Sequence, residues 1–344
     1  MFSYATPQYS RAEVDASGTE LVDESSWGES LEEAFAVIDN WRSSHYRPLN
    51  TFQVGLRRRA RQVDPNSLIA QRIKRLSSIA LKLRRFSTLR LSQMQDIAGC
   101  RAVVDSVAHV DNLVDAYRKS DIKHKLDHVD DYIRNPKGSG YRGVHLIYRY
   151  YSDKKKTYNG LKIEIQLRSK LEHAWATAVE TVGTFIQQAL KSSQGEEDWL
   201  RFFALMGSEL AHREQTSPVP GTSSRRKDLK SELREYADRL DVANHLRAYG
   251  QALQTLEQPG TQNAHYFLLE LDPTAKQIKV TGYKSTELEK ASKDYLAVER
   301  SIVGKPGVDA VLVSVESLAA LHKAYPNYFL DTHVFIQAVK LAIA

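Results

Sequence analysis

The stretch Asp131–Glu180 reads DYIRNPKGSGYRGVHLIYRYYSDKKKTYNGLKIEIQLRSKLEHAWATAVE. Within it, Leu161–Arg168 alternates strictly. Ile163, Ile165 and Leu167 fall on one face, and Lys162, Glu164, Gln166 and Arg168 on the other. The apolar face needs a core. The polar face carries an acid, an amide and two cations in a row. Taken alone, that pattern describes an amphipathic strand with one wet face. Tyr158-Asn159-Gly160 supplies a turn before it, and Val144–Tyr151 supplies an antiparallel partner.

Moving outward, three basic or acidic clusters precede this hairpin: R-I-K at Arg72–Lys74, S-I-x-x-K at Ser78–Lys82 and D-I-A-G-C-R at Asp96–Arg101. A run such as Arg72, Lys74, Arg75, Lys82, Arg84 and Arg85 alone describes a solvated helix face, and Asp96 alone could cap a turn. The periodicity predicts helices over Leu31–Ser43, Pro48–Gln62, Val107–Ser120, Leu171–Leu190 and Glu196–Arg213, and a strand over Ile97–Val104. Residues 1–30 are polar and serine-rich and read as irregular. QTSPVPGTSS at Gln215–Ser224 reads as a linker or long loop. Asp228–Leu256 reads as one long amphipathic helix, stopped by Pro259 and Gly260 within Gln258–Gln262.

The last eighty residues read as a small α+β unit. Strands are expected at Tyr266–Leu271, Gln277–Tyr283 and Asp309–Val315. A helix to Ile302 opens on a Thr286/Glu289 capping box, and a short helix covers Ser317–Ala324. Tyr325-Pro326-Asn327-Tyr328 follows it directly.

Composition sets bounds. The 344 residues suffice for two or three domains, and 42% hydrophobic with 26% charged residues is ordinary for a globular protein. No apolar run approaches the roughly 20 residues that span a bilayer, and the N-terminus lacks a signal-peptide pattern. Cys100 is the only cysteine, which excludes an internal disulfide and a cysteine zinc cluster. A cytoplasmic protein is expected, with no membrane contact. The net charge of +6 is compatible with a polyanionic partner. His124 and His128, four apart near Asp127, Asp130 and Asp131, lack a third histidine or cysteine at matching spacing, so they read weakly as a metal site.

In order and spacing, R-I-K, S-I-x-x-K, D-I-A-G-C-R, G-Y-R-G-V-H and I-E-I-Q-L-R resemble the synthetase core of the RelA/SpoT family, whose members move pyrophosphate from ATP to a ribose 3′-hydroxyl. The resemblance implies an α+β fold: a nucleotidyltransferase-like mixed sheet flanked by helices, followed by a small α+β pseudo-zinc-finger domain. It divides the chain into an extension (1–45), the synthetase (46–214), a linker with a connecting helix (215–262) and a regulatory domain (263–344). It also implies site roles. Asp96 and Glu164 would be catalytic and would hold Mg²⁺. Arg72, Lys74, Ser78, Lys82 and Arg101 would bind ATP, with the two arginine planes sandwiching adenine. Tyr141, Arg142, His145, Gln166 and Arg168 would meet the acceptor. No H-D pair suggests the family's hydrolase half. Ser139 stands where the family often has Asn, and Gly143 where it often has Ser.

A short synthetase followed by a cysteine-free tail with Y-x-x-Y resembles the fused toxin–antitoxin branch called CapRel. There the synthetase modifies the tRNA 3′ end and stops translation, and the tail covers the adenine site until a phage protein binds it. This implies autoinhibition by Tyr325 and Tyr328, tRNA as acceptor, a phage protein as activator and no zinc. Two other readings stay open: a small alarmone synthetase acting on guanine or adenine nucleotides, and a catalytically silent nucleotide or RNA sensor. Basic side chains at Arg57, Arg58, Arg59 and Arg142 are the expected contacts to tRNA phosphates.

Overall fold

The alternating segment becomes an interior strand of a mixed sheet in the computed structural model, which describes residues 4–23, 29–189, 196–251, 254–258, 261–302, 305 and 307–344. The chain opens with helices α1 (Arg11–Val22), α2 (Glu29–Ser44) and α3 (Tyr46–Val63). The synthetase-like region follows as β1 (Leu68–Ile73), α4 (Leu76–Arg85), β2 (Ala98–Val104), α5 (Val107–Arg118), β3 (Lys125–Asp131), β4 (Val144–Arg149) and β5 (Lys162–Ser169). Helices α6 (Lys170–Ala189), α7 (Glu196–Arg213), α8 (Arg226–Arg239) and α9 (Val242–Gln251) come next. The C-terminal part holds β6 (Gln254–Glu257), β7 (Tyr266–Asp272), β8 (Gln277–Tyr283), α10 (Leu288–Ser301), β9 (Asp309–Ser314), α11 (Leu318–Ala324) and α12 (His333–Ile343).

Among the described residues the nine strands form one sheet in the order β3-β4-β5-β2-β1-β9-β7-β8-β6. β4 and β5 pair antiparallel as the hairpin pattern requires, with His145 opposite Gln166 and Ile147 opposite Glu164. β5 then runs parallel to β2, which places Gly99 opposite Glu164 and Arg101 opposite Gln166. Ile163, Ile165 and Leu167 are fully buried in a core shared with Leu49, Phe52 and Leu56 of α3 and with Val110 and Leu113 of α5. Each such side chain contributes about 1.5–3 kcal/mol by leaving water. The opposite face of β5 is thereby presented to the site.

The C-terminal strands extend the same sheet. β9 pairs with β1 at Gln71↔Ser314 and Arg72↔Val313, a short seam beside six register pairs between β1 and β2. A buried ionic node reinforces it. Arg42 on α2 lies 2.7 Å from Glu299 on α10, donates to Tyr295 Oη at 3.0 Å and to the Lys74 carbonyl at 3.0 Å. Glu299 also accepts the Leu76 N–H at 2.8 Å, capping α4 where Arg75 supplies no side-chain cap. Helix α12 leaves the C-terminal strands and packs among α6, α8 and α9 in a second core built from Trp175, Phe202, Leu233 and Phe335.

Several local expectations change. The segment read as irregular contains α1, whose Ser10 and Glu13 form a reciprocal capping box. The helix expected over Asp228–Leu256 breaks at Asp241, with φ 42°, into α8 and α9, and Gln254–Glu257 continues as exposed edge strand β6, parallel to β8. The Pro259-Gly260 stop lies outside the described residues. At α10 the N-cap is Glu287, whose carboxylate accepts the Lys284 N–H at 2.8 Å, in place of a Thr286/Glu289 box. Gln215–Ser224 folds back on α7 as an ordered loop: Val219 is buried and its N–H donates to Ser208 Oγ at 2.8 Å. His124 and His128 flank and occupy a strand instead of a helix, and His124 stacks between Phe52 and Tyr150.

Candidate active site

β1 and β2 build the first half of the site. Arg72 lies near the end of β1, Lys74 just after it, and Ser78 and Lys82 on the following α4. Arg72, Lys74, Asp96, Arg101, Glu164 and Gln166 line one cavity together with Tyr325. What remains free measures about 40 Å³, room for a few water molecules at roughly 10–15 Å³ each. Tyr325 forms one wall of it. Its ring centroid lies 5.2 Å from the Arg101 guanidinium carbon, and its hydroxyl donates to the Gln71 carbonyl at 3.1 Å. Arg101 also donates to the Ala324 carbonyl. Tyr328, edge-on to Tyr325 at 6.5 Å, is equally buried. Its hydroxyl donates to Asp309 at 3.1 Å and accepts from Arg75 at 3.0 Å, while Arg75 pairs with Asp309. Burial, with Arg168 nearby, depresses Arg101 to about 10. The lining sets three cations, Arg72, Lys74 and Arg101, against two carboxylates, Asp96 and Glu164.

Asp96 sits where α4 and β2 converge. Lys74 Nζ lies 2.6 Å from one carboxylate oxygen and Lys82 Nζ 2.9 Å from the other. Burial alone would raise this carboxyl, but the two ammonium groups outweigh it and hold Asp96 at about 2. Glu164 accepts from Gln166 at 2.6 Å and lies 2.8 Å from His145 Nδ1. These partners overcome its burial and keep it ionised below the ordinary range. Two carboxylates on one cleft match the hard-oxygen chemistry of Mg²⁺, which takes one or two protein carboxylates and completes its shell with phosphates and water. Among the described residues no group of three acidic, histidine or cysteine side chains converges.

β4 and β5 build the second half. His145 is pinned between Glu164 and Tyr141, whose hydroxyl lies 2.6 Å from Nε2. Arg168 donates to the Tyr141 hydroxyl at 2.9 Å and places its guanidinium 5.2 Å from that ring. Burial opposes charge on His145, yet Tyr141 and Glu164 raise it to about 9, so it is an imidazolium at neutral pH. The turn carrying Tyr141 is held by close backbone contact. Gly140 has φ 94°, and a Cβ there would meet the Phe203 carbonyl at 2.7 Å; a Cβ at Gly207 would meet Gly140 Cα at 2.9 Å. Gly143 has φ 138° and lies against Arg168, which explains why glycine stands there instead of serine.

The structure gathers Arg72, Lys74, Lys82, Asp96, Arg101, Tyr141, His145, Glu164, Gln166 and Arg168 into this continuous face, and Ser78 lies on α4 beside it. Arg142 is a correction. It is buried and donates to the carbonyls of Ser217 at 2.7 Å and Ile133 at 3.0 Å and to Thr216. Its guanidinium ties the 215–224 loop to the turn carrying Tyr141 and is not part of the cavity lining. The Arg57–Arg61 cluster also divides. Arg57 and Arg61 hold Glu316 at 3.0 and 2.5 Å, Arg59 lies over Tyr117, and Arg58 is exposed. His173 was absent from the sequence reading. It is buried, depressed by burial and by Arg101 and Arg168, and lies 3.2 Å from the Lys323 carbonyl beside the tyrosine plug. Its only sequence signal was its place in the first turn after β5.

Residues 71–183 match the model of the region found in RelA/SpoT proteins. GTP pyrophosphokinase YwaC of Bacillus subtilis (strain 168) is 31% identical over 119 residues, covering 33% of this chain and 56% of that protein. GTP pyrophosphokinase YjbM of the same strain is 32% identical over 119 residues, covering 33% and 54%. The chain thus spans about half the length of these relatives. Among solved structures, a GTP pyrophosphokinase family protein from Streptococcus pneumoniae aligns with TM-score 0.42 at 22% identity, over 60% of this chain and 98% of that one. Small alarmone synthetase 1 from Bacillus subtilis bound to pppGpp gives 0.40 at 24%, over 54% and 93%. Residues 71–183, running from β1 into α6, are a RelA/SpoT-type synthetase domain.

Proposed function

We propose that the chain is an ATP-dependent pyrophosphokinase toxin held inactive by its own C-terminal segment, and that its acceptor is the 3′-hydroxyl of tRNA. The observation that carries the autoinhibition is Tyr325 lying against Arg101 in the cavity where adenine would stack, with about 40 Å³ left over. A tethered ring competes with ATP at an effective concentration on the order of millimolar, so modest intrinsic affinity suffices. A partner that binds the tail better in its displaced state shifts the chain toward the open form. In anti-phage defence in the cytoplasm that partner would be a phage protein.

In the open form, Arg72 and Arg101 would stack on adenine. Lys74 and Lys82 would exchange Asp96 for the ATP phosphates. That exchange frees carboxylate oxygens at Asp96, which with Glu164 would hold Mg²⁺. The ion would supply charge neutralisation on the transferring group. The acceptor's 3′-oxygen attacks the β-phosphorus, the bond from that phosphorus to the α–β bridging oxygen breaks, and AMP leaves. Glu164, ionised and backed by the His145 imidazolium, takes the 3′-hydroxyl proton. The sensor reading is disfavoured because both carboxylates and both stacking arginines share one cleft.

The named activity of the two Bacillus relatives supports a second reading, with a guanine nucleotide as acceptor. Incubating the Tyr325→Ala/Tyr328→Ala chain with γ-labelled ATP and either tRNA or free nucleotides separates the two. Label on tRNA is the expected result. Label on GDP or GTP alone returns the chain to the alarmone synthetases. No transfer from a folded, tail-released chain leaves a sensor.

A further inference from the structure

Past Glu164 the acceptor face continues into a second, unassigned cavity. It measures about 300 Å³ and is lined by Arg11, Asp15, Trp41, His45, Arg149 and Lys162 among others. The sheet register fixes its relation to the reacting centre. Lys162 lies two positions before Glu164 on β5, on the same face and about 7 Å away along the strand. Arg149 faces Lys162 across the β4–β5 pair. The cavity therefore opens at the end of the acceptor half opposite Tyr141 and Arg168.

Its chemistry is that of an anion seat. Three cations, Arg11, Arg149 and Lys162, converge on its lining. Arg11 makes no hydrogen bond or ion pair among the described residues. The Trp41 Nε1–H, in a ring 6% exposed, has no acceptor. His45 adds no charge, because burial depresses it to about 4 while Nδ1 contacts the Trp41 carbonyl at 2.7 Å. Two carboxylates face the cluster. Asp127 accepts from Arg149 at 2.9 and 3.2 Å and lies 3.8 Å from Lys162, and Asp15 is engaged by Ser92 at 2.8 and 3.0 Å. Asp127 sits on β3 and holds Arg149, while Lys162 also donates to the Gln93 carbonyl at 3.3 Å, so of the three cations Arg11 is the one without a hydrogen bond or ion pair among the described residues.

We propose that this cavity seats the acceptor's 5′-side phosphates, fixing how far its 3′-hydroxyl reaches toward Glu164. The inference rests on the acceptor reading of β4 and β5. The same chemistry serves two sources, the phosphodiesters leading into a single-stranded tRNA 3′ end and the 5′-phosphates of a free nucleotide. Neither source depends on release of the tail, because the cavity is lined by none of its residues.

The test is equilibrium binding by the full chain, at several salt concentrations, of tRNA, GDP and guanosine. Lys162→Gln and Arg11→Gln are compared with wild type, and circular dichroism checks the fold. Arg11 is exposed, so its variant keeps the test valid if Lys162→Gln disturbs the sheet. If polynucleotide phosphates bind here, each variant weakens tRNA and lowers its salt slope by roughly 0.7 per lost contact, with GDP unchanged. If nucleotide phosphates bind here, GDP weakens and guanosine does not; the seat then stands while the tRNA reading falls. Folded variants that bind tRNA and GDP as wild type does would overturn the proposal, as would a wild-type chain that binds neither at low salt.

Discussion

The two halves of the site are satisfied in opposite ways. On β1 and β2 Arg101 and the Gln71 carbonyl are occupied by Ala324 and Tyr325, more than 220 residues along the chain. On β4 and β5 the polar groups satisfy one another within a short span, in the series Glu164–His145–Tyr141–Arg168. The first half draws partners from the tail and the second from its own strands, though Arg101 Nε in the first and Arg168 Nε in the second lack a hydrogen-bond partner. On the proposed function, access to the β1–β2 half would follow the equilibrium of the tail, whereas the β4–β5 half would be preorganised by its local contacts.

Removing either of the two carboxylates, one in each half, has the largest expected effect. In a tail-released chain, Asp96→Asn and Glu164→Gln should each lower transfer on the order of 10²-fold or more, with the fold retained by circular dichroism but thermal unfolding lowered, because Lys74 and Lys82 or His145 lose a charged partner. Near wild-type transfer by either variant would remove that residue from the mechanism.

The comparison breaks next at the plug. Tyr325→Ala with Tyr328→Ala should expose the ATP cavity and make the chain toxic on expression, and Asp96→Asn in the same chain should abolish that toxicity. Both rings are buried, and truncating a large buried aromatic costs about 3–5 kcal/mol, so the C-terminal strands should also unfold at lower temperature. Tyr325→Phe is the milder version. It loses only the bond to the Gln71 carbonyl, about 1 kcal/mol, and should leak by no more than roughly ten-fold. Calorimetric ATP affinity reads both, and a folded double variant with wild-type affinity would refute the plug.

The acceptor half should respond to pH below the range where Arg101 of the donor half, at about 10, loses its charge. His145 titrates at about 9 in the fold, against about 6.5 when unfolded. Its contribution to stability is therefore fully present below pH 6.5 and is lost as pH rises to about 9. Unfolding measured from pH 6 to pH 10 should fall by up to about 3 kcal/mol from this group, and His145→Gln should flatten that part of the profile. A wild-type profile identical to that of the variant would dissolve the imidazolium bridge.

The acceptor half was also the legible half. Strict alternation at Leu161–Arg168 and the turn at Tyr158–Gly160 carry their own pairing, because both strands lie within 26 residues. Local patterns could not show that β9 joins β1, since pairing partners 240 residues apart leave no periodic trace. The α8–α9 break was hidden because Leu229, Leu233 and Leu246 all remain buried across it. Arg142 misled for a related reason. Its neighbour Tyr141 faces the cleft, but a turn through Gly140 and Gly143, both at positive φ, sends adjacent side chains to different sides. Helix α1 carried a readable signal in Ser10 and Glu13, lost among polar residues.

The smallest expected effect concerns the seam between the halves. Glu316 follows β9 and is gripped by Arg57 and Arg61 of α3. Its side chain is 41% exposed, and pairs this open to water are worth about 0.2–1 kcal/mol and are screened by salt. Glu316→Gln should therefore loosen the tail by no more than about five-fold in ATP affinity, and only at low ionic strength. The same change frees two cations. If α3 contacts tRNA phosphates, tRNA binding by this variant should tighten and its salt slope should steepen. If α3 serves only to hold the tail, ATP affinity alone should move. Arg58, exposed on the same helix turn, supplies the contrast: Arg58→Glu should weaken tRNA in the first case and change nothing in the second. The pair of variants decides whether this cluster belongs to the latch or to the acceptor.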